Sequence, residues 1–392
     1  VIDPLTGDGC TVGVVGGGQL GRMLAAAASP LGVDVVVLDP TPDCPAATVA
    51  SEQIVGEFDD AEALQELGAK ADVLTVEIEL VDPDLLALAC EIASVPVHPS
   101  PDTLNYIQDK LQEKRLLSEH GVPVPAFQSV EGPEELRDAF EELGRPVMLK
   151  ARKGGYDGRG NAPVESIEHA TAQFGDLEGL IAEAFVDYER ELSVMAANGA
   201  GETAVYPVVE NTHAKEILRE TIAPARLSSA VADRARGVAQ DTLDLLAGRG
   251  IFGIELFETS EGEILVNEIA PRPHNSGHYT IEGATTSQFE QHIRAVLGVP
   301  LGSTTVPEET AMANILGDER DARRAELRGI ESLLEEPGLH LHWYGKQQVR
   351  PLRKMGHLTA TASADQADPP LERVRNGVEM LSFEAAPEEP GN

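Results

Sequence analysis

Over the first hundred residues, short β-branched runs alternate with helical patterns, and few folds satisfy that order. Thr11–Val15, Val33–Leu38 and Val73–Ile78 are apolar on successive positions, whereas Asp59–Leu67 and the run around Met23–Ala28 carry helical spacing. A strand apolar on both faces must be covered on both faces, as in a parallel sheet flanked by helices. The spacing therefore predicts α/β architecture, with a Rossmann-like unit over residues 1–120. Ser100-Pro101 offers an N-cap and an N1 proline to a helix predicted to reach about His120, where Gly121 ends it. Gly121–Pro125 holds two prolines and reads as a linker. A second unit, 121–210, is predicted from the helix Pro133–Leu143 and strands at Val147–Lys150, Ile181–Val186, Leu192–Ala196 and Ala204–Val209. A third, 211–384, contains a long helix from near Leu227 to Ala247 and a strand pair across Gly250–Ile269. The acidic, Pro-containing end, 385–392, is predicted to be disordered.

Composition narrows the function. The 392 residues are 42% apolar, enough for two or three cores. No run approaches the roughly 18 apolar residues that span a bilayer. The first residues lack a basic region followed by an apolar one, so a cytoplasmic location is expected. Cys10, Cys44 and Cys90 are too few and too far apart for a disulfide framework or a zinc site, and read as buried thiols. The formal net charge of −36 repels a nucleic-acid backbone. Only eight of the 30 basic residues are Lys. Such an acidic, Lys-poor surface suits concentrated salt, which screens self-repulsion.

Five segments carry candidate chemistry. Gly16-Gly17-Gly18-Gln19-Leu20-Gly21 satisfies G-x-G-x-x-G between a strand and a helix, where backbone N–H groups meet an anion. Asp39 ends the next strand, where a dinucleotide fold places its ribose acid; a simple tight turn is the alternative. Lys150–Asn161 sets four glycines among the seven residues 154–160, behind Lys150, Arg152 and Lys153. It is not a Walker A loop, but a cationic flap of this kind suits a polyphosphate. In the third segment, a two-residue turn at Glu261-Gly262 would place Glu255 opposite Glu268, with Cβ atoms roughly 5 Å apart on one face. Two such carboxylates repel unless a cation lies between them, and magnesium bridges oxygen ligands of this kind to nucleotide phosphates. Pro271–His278 is a rigid irregular loop that projects Arg272, His274 and His278 toward an anion or substrate. His340–His357, with Lys346, Arg350, Arg353 and Lys354, is the most basic stretch and a candidate phosphate cradle.

Taken together, GGGQLGRML at Gly16–Leu24, GGYDGRG at Gly154–Gly160, NEIAPRPHNSGH at Asn267–His278, SQFEQH at Ser287–His292 and HLHWYGK with RPLRKMGHL between His340 and Leu358 resemble the 5-(carboxyamino)imidazole ribonucleotide synthase family of ATP-grasp enzymes. The resemblance spans nearly the whole chain. It implies an ATP-grasp fold behind the Rossmann-like unit, with a small β-rich C-terminal subdomain. It also implies ATP- and bicarbonate-dependent carboxylation of the exocyclic amine of 5-aminoimidazole ribonucleotide through carboxyphosphate, with Mg2+, in purine biosynthesis. For ATP it implies Lys110, Lys150, the flap Gly155, Tyr156, Asp157, Gly158, Arg159, Gly160 and Asn161, the hinge Glu183, Ala184, Phe185 and Val186, then Glu191, His213, Asn267 and Glu268. For the metal it implies Glu255 and Glu268. For chemistry it implies Tyr156, Asp157 and Arg272, and for the ribonucleotide Gln19, Leu20, Glu77, Lys346 and Arg353. A homodimer and functional coupling to the mutase that consumes the product are also implied. Two departures stand out: Lys110 replaces a customary Arg, and Leu352 a customary Gly. The competing readings are another ATP-grasp purine ligase, such as the formate-dependent glycinamide ribonucleotide transformylase, and an NAD-dependent dehydrogenase.

Overall fold

In the computed structural model, the described residues are 9–154, 160–320, 322–364 and 366–385. The N-terminal sheet is wholly parallel, in the spatial order Glu52–Ile54, Asp34–Leu38, Thr11–Val15, Val73–Val76, Val97–His98. Its central strands are buried on both faces, as their unbroken apolar runs require. The chain order reverses beside Thr11–Val15. Ligands of open α/β sheets bind at such a switch point, beyond the carboxyl ends of the strands. Helix Gln19–Ala28 packs on helix Gln288–Leu297 through Leu24, Phe289 and Ile293, which ties this unit to the rest of the molecule.

The helix expected from Ser100 to His120 is two helices, Pro101–Gln108 and Lys110–Glu119. Asp109 separates them. Its backbone is extended, and its carboxylate accepts hydrogen bonds from Leu111 N at 3.0 Å and Gln112 N at 3.4 Å. An Asx side chain that caps a helix must stand outside it. The break aims Lys110 and Lys114, one turn apart, inward.

A four-stranded antiparallel sheet follows, in the order Phe127–Val130, Leu180–Ala184, Val147–Ala151, Asn161–Val164. Helices Pro133–Leu143 and Ile167–Phe174 share its core with Val147, Leu149 and Ala182. The large sheet runs Ile264–Ala270, Gly250–Thr259, Tyr188–Asn198, Val209–Ala214, Ile217–Ala223, Thr310–Leu316, Lys354–Thr361, Leu339–Trp343, with Thr203–Val205 paired to Tyr188–Asn198. The expected division at 210 therefore falls inside this sheet; the chain passes from one sheet to the next between Ala184 and Tyr188. The long helix is Ser229–Asp244, capped by Ser228. The C-terminal residues add the last strands of the large sheet and a small sheet of Gln348–Val349, Arg323–Arg328 and Ser382–Ala385. All three cysteines are buried. No helix among the described residues is long and apolar enough to cross a membrane. Of the segment predicted to be disordered, 386–392 lies outside the described residues.

Candidate active site

The N-terminal, four-stranded and large sheets meet around a cleft of about 1470 Å³. Of the described residues singled out as nucleotide, metal or substrate contacts, all but Gly160 line it. Gly155, Tyr156, Asp157, Gly158 and Arg159 lie outside the described residues.

At the centre is a buried array of alternating charge. Lys150 is the last residue but one of the strand Val147–Ala151 and is buried; its Nζ donates to Glu183 Oε2 at 2.8 Å and to Asn267 Oδ1 at 3.2 Å. Lys110 pairs with Glu268 at 2.8 Å. Burial pushes the Glu268 carboxyl up, but Lys110 and Lys150 outweigh it and hold the group down at about 2. Glu183 is buried too, and Lys114 and Lys150 keep it below the usual carboxylate range. Glu113, equally buried, is pushed up to about 7 by desolvation, against the pull of Lys114 and Lys110. Among the described residues its Oε1 has no hydrogen-bond partner.

Glu255 and Glu268 are paired across the hairpin, as expected, but by another route. The turn has three residues, not two. Thr259 N donates to Glu263 O at 3.0 Å and Gly262 takes φ +75°, a left-handed position that favours glycine. That offset shifts the register by one. A β-bulge at Asn267 then restores it, so the two glutamates face each other. Asn267 donates from Nδ2 to Glu255 Oε2 at 3.3 Å. Burial first, then the Glu268 charge, raises the Glu255 carboxyl, while His213 pulls the other way. Two opposed hard carboxylates with an amide beside them suit a cation that takes its remaining ligands from phosphates, as magnesium does. Among the described residues there is no cluster of three or more metal-type ligands.

Around this centre, Phe185 is exposed, and Tyr188 stacks on Phe257 with centroids 4.8 Å apart and 6° between planes. Glu191 pairs with His213 and accepts from the Tyr188 hydroxyl. Burial works against the His213 charge, but the Glu191 hydrogen bond outweighs it and raises its pKa.

The glycine-rich turn departs from expectation. Its N–H groups already hold anions of the chain itself. Gly17 N donates to Asp39 Oδ2 at 2.9 Å, Gly18 N to Glu77 Oε1 at 2.6 Å, and Gly21 N to Glu77 Oε2 at 2.9 Å. A Cβ at Gly16 would lie 2.3 Å from Glu77 Cγ. Here the glycines make room for a carboxylate, in the place where a dinucleotide fold seats its pyrophosphate. Burial lifts the Glu77 carboxyl to about 7, against the two N–H bonds and Arg272.

Arg152 also differs from expectation. The sequence groups it with the cationic flap, yet its guanidinium grips Asp109 through Nε at 3.0 Å and Nη2 at 2.6 Å, and Glu131 through Nη1 at 3.1 Å. Such a bidentate pair fixes the flap's base to the cap of the Lys110 helix. On the opposite wall, Arg272 Nε pairs with Glu79 at 2.8 Å. His274 lies 3.4 Å from Glu255. Lys346 Nζ donates to Lys354 O at 2.9 Å and Arg353 Nη1 to Gln348 O at 2.7 Å.

Leu352 keeps the backbone that a glycine would adopt. Its φ is +61°, and Arg353 N donates to Arg350 O at 3.1 Å, closing a turn with Pro351 and Leu352 at the middle positions. Arg353 therefore enters the cleft as a glycine turn would present it, at the expense of strain on Leu352. Leu352→Gly is expected to stabilise the fold by about 1 kcal/mol, the relieved strain exceeding the added unfolded-state entropy. KM for the ribonucleotide should not change. Thermal melts and steady-state kinetics check both.

Sequence reasoning missed Glu79, Glu113, Lys114, Tyr188, Phe257 and the position of Arg152. Lys114 was the most accessible of these, since it stands four residues beyond Lys110 and shares its helix face.

Comparison with known proteins accounts for this arrangement. Residues 10–108 match the ribonucleotide synthetase preATP-grasp domain, 115–289 the ATP-grasp domain, and 310–367 the phosphoribosylaminoimidazole carboxylase C-terminal domain. The N5-carboxyaminoimidazole ribonucleotide synthase of Brucella melitensis is 41% identical over 356 residues, covering 90% of this chain and 96% of the relative. The crystal structure of the synthetase from Thermotoga maritima superposes with a TM-score of 0.84 at 43% identity, over 96% of this chain and 100% of that one. The Aspergillus clavatus synthase, solved with ADP and 5-aminoimidazole ribonucleotide, gives 0.85 at 34% identity, over 94% and 96%. With the preATP-grasp sheet, the charged cleft and the C-terminal domain in one continuous match, the chain belongs to the N5-carboxyaminoimidazole ribonucleotide synthase family and is an ATP-dependent ligase of purine biosynthesis.

Proposed function

We propose that ATP lies between the four-stranded and the large sheet, with its phosphates toward Lys150 and Lys110. The observation that carries this reading is the convergence of Lys110, Lys150, Glu255, Asn267 and Glu268 in one cleft. Ala184, Phe185 and Val186 border the adenine end, where Tyr188 and Phe257 offer a stacked aromatic wall. Glu191, steadied by His213, faces the ribose. Glu255 and Glu268 would hold Mg2+, which would supply charge neutralisation for the nucleotide phosphates. The Aspergillus clavatus relative's ADP and aminoimidazole ribonucleotide support this nucleotide reading.

The ribonucleotide lies toward the N-terminal sheet. Lys346 and Arg353 grip its phosphate, and Gln19, Leu20 and Glu77 line its ribose side. Because the glycine turn is capped from within, it gives this substrate donor-accepting groups and no anion seat, and an NAD site has no support. Bicarbonate oxygen attacks the γ-phosphorus of ATP, and ADP leaves. The substrate amine then attacks the carbon of carboxyphosphate, or of the CO2 it releases, and loses a proton, and inorganic phosphate departs. Arg272 steadies the carboxyphosphate, and Tyr156 and Asp157 face the amine. The units meet near 120 and between Ala184 and Tyr188. A cytoplasmic homodimer, hand-over of product to a mutase and a high-salt setting for the −36 charge complete the reading.

ADP release that requires both bicarbonate and 5-aminoimidazole ribonucleotide is expected, at low and at molar salt. Release that required formate instead would point to the transformylase chemistry. Glu268→Gln is expected to raise the half-saturating Mg2+ concentration about tenfold or more. An unchanged magnesium titration would remove Glu268 from the metal.

A further inference from the structure

The strand Ile264–Ala270 lies at the edge of the large sheet, and its defect decides where two carboxylates point. Leu256 pairs with Val266 and Glu255 with Glu268, which leaves Asn267 as the extra residue. Were the register set by the turn to continue, Asn267 would oppose Glu255, and Glu268 would swing to the other face, because side chains alternate at every residue. The bulge alone puts Glu255 and Glu268 on one face.

A bulge on an edge strand leaves backbone groups that no ladder satisfies, and buried ones need partners from elsewhere. Val266 N finds Pro123 O at 2.8 Å. Two successive carbonyls, Val266 O and Asn267 O, converge on Lys114 Nζ at 2.9 and 2.5 Å. In a regular strand successive carbonyls point to opposite sides, so a shared ammonium is a signature of the bulge. Lys114 reaches it from the helix that also carries Lys110, with its side chain 1% exposed. The same Nζ lies 3.9 Å from Glu183 Oε1, whose other oxygen holds Lys150.

We infer that Lys114 is a positioning residue of the nucleotide and metal site: its ammonium fixes the bulge at Asn267, and through it the facing of Glu255 and Glu268. The inference rests on the proposed role of those two glutamates. The competing view is a buried lysine that only neutralises Glu113 and Glu183. It predicts a loss of stability and no change in the metal site.

The test compares wild type, Lys114→Met, Lys114→Arg and the double variant Lys114→Met/Glu113→Gln, which removes a buried carboxylate along with the ammonium. The first readout is Mn2+ binding in the presence of ADP, followed by electron paramagnetic resonance. The second is the Mg2+ dependence of ADP formation. Outer-shell partners of a metal site typically contribute 10–100-fold in metal affinity. Lys114→Met should weaken Mn2+ binding about tenfold or more and lower kcat, with KM for the aminoimidazole ribonucleotide within about twofold. Lys114→Arg, which keeps several donors, should recover most of the Mn2+ affinity. Wild-type Mn2+ affinity in folded Lys114→Met overturns the inference. If the single variant does not fold, wild-type affinity in the double variant does the same. If Mn2+ binding to the wild type is insensitive to Glu268→Gln, the metal-site reading itself fails, and this inference with it.

Discussion

Lys150→Ala is expected to lower ADP formation by about 10²–10³-fold, the usual effect of removing one preorganised charge from a developing phosphoryl transition state. The lysine is buried, and Glu183 and Asn267 aim it, so no solvent rearrangement is needed to place it. The same change removes the closest partner of buried Glu183, leaving Lys114 at 3.9 Å. Breaking a buried ion pair from one side typically costs about 3–5 kcal/mol. The alanine variant is therefore expected to melt earlier as well. Lys150→Met combined with Glu183→Gln separates the two effects: the melt should recover and the turnover should not. An assay of ADP release beside a thermal melt reads both. Turnover within about threefold of wild type in Lys150→Ala would remove it from the phosphate.

Acidification from pH 7 to 5.5 should destabilise the protein, with a net slope of about 3 kcal/mol per pH unit near the lower value. Burial lowers His98 to about 4 and His274 and His292 to about 3, and drives His278 and His357 well below their ordinary range. Each is neutral in the fold and takes up a proton in the unfolded chain below about pH 6.5, so the unfolded state gains protons and stability falls. Glu77 and Glu113, both raised to about 7, act in the opposite sense, because the fold binds their protons first. So do His213 and Glu255, also raised. The five histidines prevail. His292 shows why they stay neutral: Ile251 N donates to its Nδ1 at 3.1 Å, so Nε2 carries the proton toward Thr75 Oγ1 at 2.8 Å. Urea midpoints at the two pH values measure the slope. Midpoints that did not fall would reverse the sign of the linkage.

Local rules made much of this molecule legible. Apolar runs and the glycine turn located the parallel sheet, and a strand ending in Lys150 located the cleft. What failed were features set by distant partners. The segment around Asp109 reads as continuous helix, because nothing nearby shows that its carboxylate will cap and also bind Arg152, 43 residues on. Lys114 shares a helix face with Lys110, but its acceptors are carbonyls about 150 residues away, so helix spacing gives its direction and not its partners. The facing of Glu255 and Glu268 was anticipated through two one-residue errors that cancel, a turn longer by one and a bulge that restores the count. Such a bulge has no local sequence signal when the extra residue is an Asn flanked by apolar and acidic neighbours.

The self-capped glycine turn has a consequence for inhibitor chemistry. A phosphate or sulfonate aimed at this loop must evict Glu77 from two backbone N–H groups and then leave that carboxylate buried without donors. A compound bearing an amine, amidine or diol meets the carboxylate as it stands; under the proposed seating of the ribonucleotide phosphate, an acidic tail belongs with Lys346 and Arg353, which line the same cleft. The loop spells a dinucleotide motif, yet its N–H groups are already taken by the chain's own carboxylates.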